Sequence, residues 1–286
     1  MSIQWYPGHM TKARRELAAL MPSQDVIIEV LDARLPAACE NPVVTELRKQ
    51  KPCIKVLTKS DLADPQVTTA WLRHLEQREA RRAAPSASAP GRVVAFASTT
   101  DRPGETRARV VELVKQLGLR HGPTKPVRAL IAGSPNVGKS TLINTLMERA
   151  VAAVGDKPAV TKSQQQVVLK SGMVLSDSPG ILWPKIEDEA AGLRLALGGV
   201  IPDTAIEYLN VAIFGAQLFL ARYPALVMAR FKLRELPPSG EALVAEIGRR
   251  RGCLQSGGVV DLHKASEILV HEFRSGTLGR ISLEAP

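Results

Sequence analysis

The chain is predicted to be an α/β protein, a mostly parallel sheet with flanking helices, followed by a small all-α C-terminal domain, and three observations predict it. Apolar runs at residues 25–31, 53–57, 92–97 and 127–132 have strand length and alternate with helical patterns. Polar loops rich in Gly, Ser, Thr, Lys and Asp follow the C-terminal ends of those runs, the edge where open α/β sheets bind ligands. From Glu187 onward the strand pattern stops, so a boundary is expected between residues 1–185 and 186–286.

With 45% hydrophobic and 23% charged residues, the composition is that of a globular chain long enough for a sizeable core. No apolar run reaches the ~18 residues a membrane span needs, and residues 1–20 lack a signal-type apolar core. A cytoplasmic protein with no membrane partner is the expectation. Cys39, Cys53 and Cys253 have no metal-ligand spacing and cannot all pair, which fits a reducing compartment. They read as small buried hydrophobes or inert surface thiols. The net charge of +10 is uneven: 27 basic against 16 acidic residues up to residue 186, and 11 against 12 after it. That excess suits a polyanion such as nucleic acid, or serves solubility alone.

Residues 2–16 set Trp5 and Tyr6 before Pro7-Gly8-His9 and a basic helix with Thr11 as its cap. The strand at 25–31 runs into Asp32-Ala33-Arg34-Leu35-Pro36, and a short helix at 43–50 leads to the strand at 53–57. After it comes Thr58-Lys59-Ser60-Asp61, similar to the base-reading Asn-Lys-x-Asp string of GTPases. A carboxylate at Asp61 can accept two parallel hydrogen bonds from the guanine edge, which adenine cannot offer, and Lys59 can lay its stem along the base. Thr58 stands where Asn is usual, which leaves the strength of guanine selectivity open.

A helix is expected over 66–82, then a low-complexity insertion at 83–91. The strand at 92–97 ends in Ser98-Thr99-Thr100, similar to the Ser-Ala-Lys guanine loop but lacking its lysine, so Ser98 and Thr99 offer only hydroxyl and backbone contacts. A helix at 106–117 precedes the strand at 127–132.

Gly133-Ser134-Pro135-Asn136-Val137-Gly138-Lys139-Ser140-Thr141 then lies between that strand and a helix at 142–150. This is the context of a phosphate-binding loop: backbone N–H groups close around an anion, the new helix offers its dipole, Lys139 adds a mobile charge, and Ser140 offers a hydroxyl to Mg²⁺. Downstream, Thr161 matches a switch threonine that ligates Mg²⁺. Strands at 167–169 and 173–175 lead to Asp177-Ser178-Pro179-Gly180, which resembles Asp-x-x-Gly, whose Asp holds Mg²⁺ through water and whose Gly amide meets the γ-phosphate.

In conventional GTPases the base-reading strings come last; here they come first. The chain therefore resembles the circularly permuted ribosome biogenesis GTPase A (YlqF-like) family. The strings that carry the likeness are Trp5-Tyr6-Pro7-Gly8-His9-Met10, Asp32-Ala33-Arg34, Thr58-Lys59-Ser60-Asp61, Asn136 to Thr141, Asp177 to Gly180, Arg251-Gly252-Cys253 and Phe273-Arg274-Ser275-Gly276. The resemblance implies a circularly permuted P-loop GTPase domain that binds GTP or GDP with Mg²⁺. It also implies action on the large (50S) ribosomal subunit precursor, with the C-terminal helices facing 23S rRNA and ribosomal proteins. A monomer is the simplest expectation. An assembly factor in which nucleotide only stabilises the fold is the alternative.

Ile181 after Gly180 cannot orient a water, so slow intrinsic hydrolysis is expected. The resemblance offers His9 as the water-positioning group, against a purely structural role. It offers Asn136 as a K⁺ holder, against a loop-stabilising amide. Helices are expected at 190–197, 205–220, 241–250 and 262–274, with breaks at Gly198-Gly199, Pro237-Pro238 and Gly257-Gly258. Arg249-Arg250-Arg251 reads as an RNA-phosphate cluster or a solvated face.

Overall fold

All seven residues of strand β1 (Val26–Asp32) are buried, Glu29 and Asp32 included, as expected of a central parallel strand covered on both faces. The computed structural model describes residues 8–82, 93–119, 125–147, 166–183, 186 and 188–286. Thr161, the aromatic string Trp5-Tyr6-Pro7 and the insertion at 83–91 lie outside them. So does the side chain of His9, whose backbone falls in α1 (Gly8–Leu20).

The first half continues with α2 (Pro36–Cys39), α3 (Pro42–Arg48), β2 (Cys53–Thr58), α4 (Pro65–Arg82), β3 (Val93–Ala97) and α5 (Pro103–Gln116). Then follow β4 (Arg128–Ala132), α6 (Lys139–Met147), β5 (Gln166–Val168) and β6 (Val174–Asp177). The strands form one sheet in the order β3-β2-β1-β4-β6-β5, parallel except for the β5–β6 hairpin. Asp32 and Thr58 are level at the C-terminal ends of β1 and β2, as are Ile131 and Asp177 on β4 and β6. The motif loops therefore gather on one edge. The strand bearing the phosphate loop is central although it comes fourth in sequence, which is the circular permutation expressed as topology.

Helix positions follow apolar spacing. On α5 the buried residues are Thr106, Val110, Leu113 and Val114, one stripe of a 3.6-residue repeat. Lys55 on β2 is level with Glu29 on β1 and its ammonium stands 3.1 Å from that carboxylate, a buried pair between adjacent strands. Glu40 caps the cluster through Lys55 and Arg78.

The remainder is helical: α7 (Glu189–Leu197), α8 (Tyr208–Arg222), α9 (Pro224–Phe231), α10 (Gly240–Arg250) and α11 (Leu262–Arg274). The apolar face of α8 packs against α7, α10 and α11, with Phe219 stacked on Phe273 at 5.5 Å between ring centroids. Its core is continuous with that of the sheet in one buried cluster that includes Leu35, Leu195 and Leu197. No single described helix is long and apolar enough to cross a membrane, and the apolar pair α8 and α9 is bent by 113°.

Three expectations are corrected. Thr11 is not a cap, because α1 begins at Gly8 and Thr11 lies inside it. The helix expected at 205–220 is a 3₁₀ turn at Asp203–Ala205 followed by α8, since Ile206 and Glu207 are extended. A separate helix, α9, follows because Pro224 cannot continue α8 but suits a first turn. All three cysteines are buried, which decides between their two readings.

Candidate functional site

Gly133 follows β4 at φ +150°, and a Cβ there would stand 2.5 Å from Val30 O, so only glycine lets the loop leave the sheet so close to β1. Val137 at the loop's crest is fully buried. Lys139 opens α6, and its ammonium donates to Ser134 O at 2.6 Å. Burial lowers its pKa to about 8, against the opposing attraction of the Asp177 carboxylate. The lysine is thus still mostly protonated near neutral pH but folded back onto a carbonyl, and an incoming phosphate stabilises its charge by supplying a stronger counter-charge. Ser140 and Thr141 follow on the first turn of α6, where backbone N–H groups have no helical partner.

Thr58 lies against this loop. Its hydroxyl, with one proton to give, is within bonding distance of both Val137 O and Leu31 O, the latter at 2.9 Å. Its side chain also lies close to Gly138. Thr58 is a brace for the phosphate loop, a job open to a hydroxyl as much as to a carboxamide. Lys59 adopts φ +54°, unusual for a lysine, and its ammonium bridges Asp32 Oδ2 at 2.9 Å and Asn136 O at 2.8 Å. Asn136 itself lies at φ +56°, and its amide donates to Gly199 O at 2.8 Å, beyond the end of α7.

Ser60 Oγ donates to Ser98 O at 3.1 Å and Ser98 Oγ pairs with Thr106 Oγ1 at 2.9 Å, which ties the two base-side loops together. Asp61 and Thr99 line one hollow of about 700 Å³, and Lys59 and Asn136 line a second cleft of about 600 Å³ against Gly198 and Arg274. A larger hollow, about 840 Å³ between α5, α6 and β5, contains none of these residues, so chemistry rather than size assigns the site.

Asp177 is buried at the end of β6, and the Ser178 hydroxyl donates to Ile131 O at 2.8 Å. A Cβ on Gly180 would stand 2.9 Å from both Lys139 Nζ and Pro135 Cα, so this loop closes directly over the phosphate loop. The hydroxyl of Ser140 and the carboxylate of Asp177 are hard oxygen donors of the kind that Mg²⁺ prefers. Ile181 turns away into a small core shared with Met10, and the Asn41 amide donates to its carbonyl at 2.5 Å.

Sequence reasoning named Asp32 and Arg34 only as part of a string. Asp32 and Arg34 form a two-point pair at 2.9 and 2.8 Å, both buried. Arg34 also donates to Phe273 O, Arg274 O and Gly198 O and lies over the Phe273 ring at 4.8 Å. The guanidinium thereby joins the base-side loop, through Asp32 and Lys59, to both α7 and α11. A signal existed in the pairing of Asp32-Ala33-Arg34 with the later Phe273-Arg274 string, though not its geometry. Of the arginine run, Arg249 and Arg250 pair with Glu246 and Arg251 with Glu272, so a carboxylate neighbours each charge.

The 50S ribosome-binding GTPase family profile matches residues 128–212, from the phosphate-loop strand into α8. The ribosome biogenesis GTPase A of Bacillus pumilus is 41% identical over 286 residues, covering 100% of this chain and 99% of that one. That of Bacillus cereus is 39% identical over 100% of this chain and 95% of its own. The chain belongs to the ribosome biogenesis GTPase A family. The GNP-bound structure of YlqF from T. maritima superposes with a TM-score of 0.65 at 28% identity, covering 96% of this chain and 98% of that one. As a member of this GTPase A family the protein binds guanine nucleotides, hydrolyses GTP and serves ribosome biogenesis. The permuted strand order is that of a P-loop GTPase domain.

Proposed function

We propose that the protein acts on a precursor of the large (50S) ribosomal subunit in the cytoplasm, as a monomer, at a late assembly step that GTP hydrolysis ends. Residues 1–185 form the nucleotide domain and 186–286 the domain facing 23S rRNA and ribosomal proteins. The observation that carries the reading is the Asn136–Gly199 hydrogen bond: the phosphate loop touches the helical domain directly, so a change at the phosphates has a mechanical outlet.

In this reading Lys59, Asp61, Ser98 and Thr99 meet the guanine, with Asp61 accepting from the base edge and Lys59 lying along the ring, while Thr58 serves nucleotide binding by bracing the loop beside them. Asn136, Val137, Gly138, Lys139, Ser140, Thr141, Thr161 and Gly180 surround the phosphates. Ser140, Thr161 and Asp177 hold Mg²⁺, which when bound supplies charge neutralisation of the phosphate oxygens. Lys139 moves from Ser134 O to the phosphates, where its charge is stabilised. Asn136 can hold K⁺ once its amide leaves Gly199. His9 positions the attacking water; its neighbour Met10 shares a buried cluster with Ile181, the residue after Gly180, which brings the start of α1 toward the switch loop.

The test is GTP turnover with and without purified large subunits, in K⁺ and in Na⁺, with ATP as competitor. Slow basal turnover, acceleration by the subunit and indifference to ATP are expected, and His9→Ala should lose the acceleration while keeping GDP affinity. Fast turnover without subunits, inhibition by ATP, or subunit binding that ignores the nucleotide state would overturn it.

A further inference from the structure

The segment after α11 turns back across the base-side loop. Gly276, at φ +76°, passes so near that a Cβ would stand 2.6 Å from Leu62 Cδ2. Residues 281–284 are then buried. The N–H groups of Ile281 and Leu283 donate to Leu62 O at 3.0 Å and Arg34 O at 2.7 Å, and Asp64 N donates to Ser282 Oγ at 3.2 Å. Trp71 Nε1 donates to Glu284 O at 3.2 Å. Within this strap, Arg280 gives Nε to Ala63 O at 3.0 Å and a terminal nitrogen to Ser60 O at 2.9 Å. Its guanidinium therefore spans the loop from one side of Asp61 to the other, and it lines the same hollow as Asp61 and Thr99.

We infer that Arg280 is a positioning residue for guanine selectivity, its planar fork holding the Ser60–Ala63 backbone so that both oxygens of Asp61 are aimed at the base edge. The inference rests on the reading of Asp61 as the base reader. Two parallel hydrogen bonds demand aim, because each weakens steeply as its angle closes. The loop begins at Lys59, in a left-handed backbone conformation that is uncommon for a lysine. A guanidinium offers two rigidly spaced donors to the two carbonyls, whereas an ammonium is a point donor that cannot span them. A rivet that only fastened the C-terminal segment would affect every nucleotide alike. Arg280 affects the second base contact specifically.

The experiment measures affinities of the full chain for GDP, IDP and XDP by competition with a fluorescent nucleotide, in the wild type and in Asp61→Asn, Arg280→Ala and Arg280→Lys. IDP lacks the exocyclic amine, so the GDP-to-IDP ratio reads the second bond to Asp61. Asp61→Asn should lose the preference for GDP and gain one for XDP. Arg280→Ala should lower the GDP-to-IDP ratio by about tenfold and Arg280→Lys by about threefold, with GTP KM raised and kcat at saturation kept within about twofold. If Arg280→Ala does not fold, Arg280→Lys decides by the same ratio. A ratio unchanged in the Arg280 variants, beside a response in Asp61→Asn, overturns the role of Arg280 and leaves Asp61 its own. No response in Asp61→Asn overturns the reading of Asp61 and the inference with it.

Discussion

Truncating Arg34 to alanine should destabilise the fold by about 3–5 kcal/mol, the range for breaking a buried ion pair by removing one partner. The structure places the loss near the lower end, about 3 kcal/mol. Asp32, left fully buried, keeps Lys59 at 2.9 Å, so its charge is not stranded. Against that, the carbonyls of Gly198, Phe273 and Arg274 lose a donor and Phe273 loses the cation over its ring. With total stability of about 5–15 kcal/mol, such a loss is a large share. The assay is urea unfolding at pH 7 followed by far-ultraviolet circular dichroism and by tryptophan fluorescence. A loss below about 1 kcal/mol would refute the reasoning. A cycle of Asp32→Asn, Arg34→Met and the double variant should give a coupling energy of about 1.5–3 kcal/mol, and additive losses would refute it equally. Burial alone would raise the Asp32 carboxyl, but Arg34 and Lys59 outweigh it and hold it well below the ordinary range. Its contribution is therefore full above the ordinary value near 3.8 and is lost as the pH falls below it.

Glu40 predicts a second acid response. Burial works to raise its pKa, yet Lys55 and the hydrogen bonds from Arg78 and Lys55 hold it at about 2 against an ordinary 4.5. Glu40→Gln should destabilise the protein by about 1.5–3 kcal/mol at pH 7, and the gap from wild type should close as the pH falls from 4.5 toward 2, read as converging urea midpoints. Gly180→Ala drives a methyl into Pro135 and Lys139, so the two loops must part. Affinity for a non-hydrolysable GTP analogue should fall by about tenfold, an overpacking cost of about 1–3 kcal/mol, with wild-type affinity by calorimetry as the contrary outcome.

The sheet was legible because its central strands are mostly apolar runs of strand length and the loops after them carry distinctive chemistry, as at Gly133 to Thr141 and Thr58 to Asp61. The permuted order could be read as soon as both strings were recognised. Local pattern failed where a few residues decide. Pro36-Ala37-Ala38-Cys39 reads as loop yet forms α2, with Pro36 in its first turn. Extended backbone at Ile206 and Glu207 divides a region that is apolar enough to look continuous. The burial of Arg34 and the reach of Arg280 had no local signal at all. Each depends on partners more than 200 residues away, and a charged residue in a loop gives no hint that a ring or a row of carbonyls awaits it.

The central pairing of β1 with β4 also has a history in synthesis. Val26 and Ala129 are level in adjacent strands but about 100 residues of chain lie between them. At translation speeds of about 5–20 residues per second, β1 waits about 5–20 s for its neighbour while β2 and β3 can already dock on its other side. During that interval one edge of the seven-residue, mostly apolar β1 stands unpaired in the nascent chain, exposed to the pairing errors that open edges invite. The finished pocket bears no mark of the rearranged strand order; its biosynthesis does.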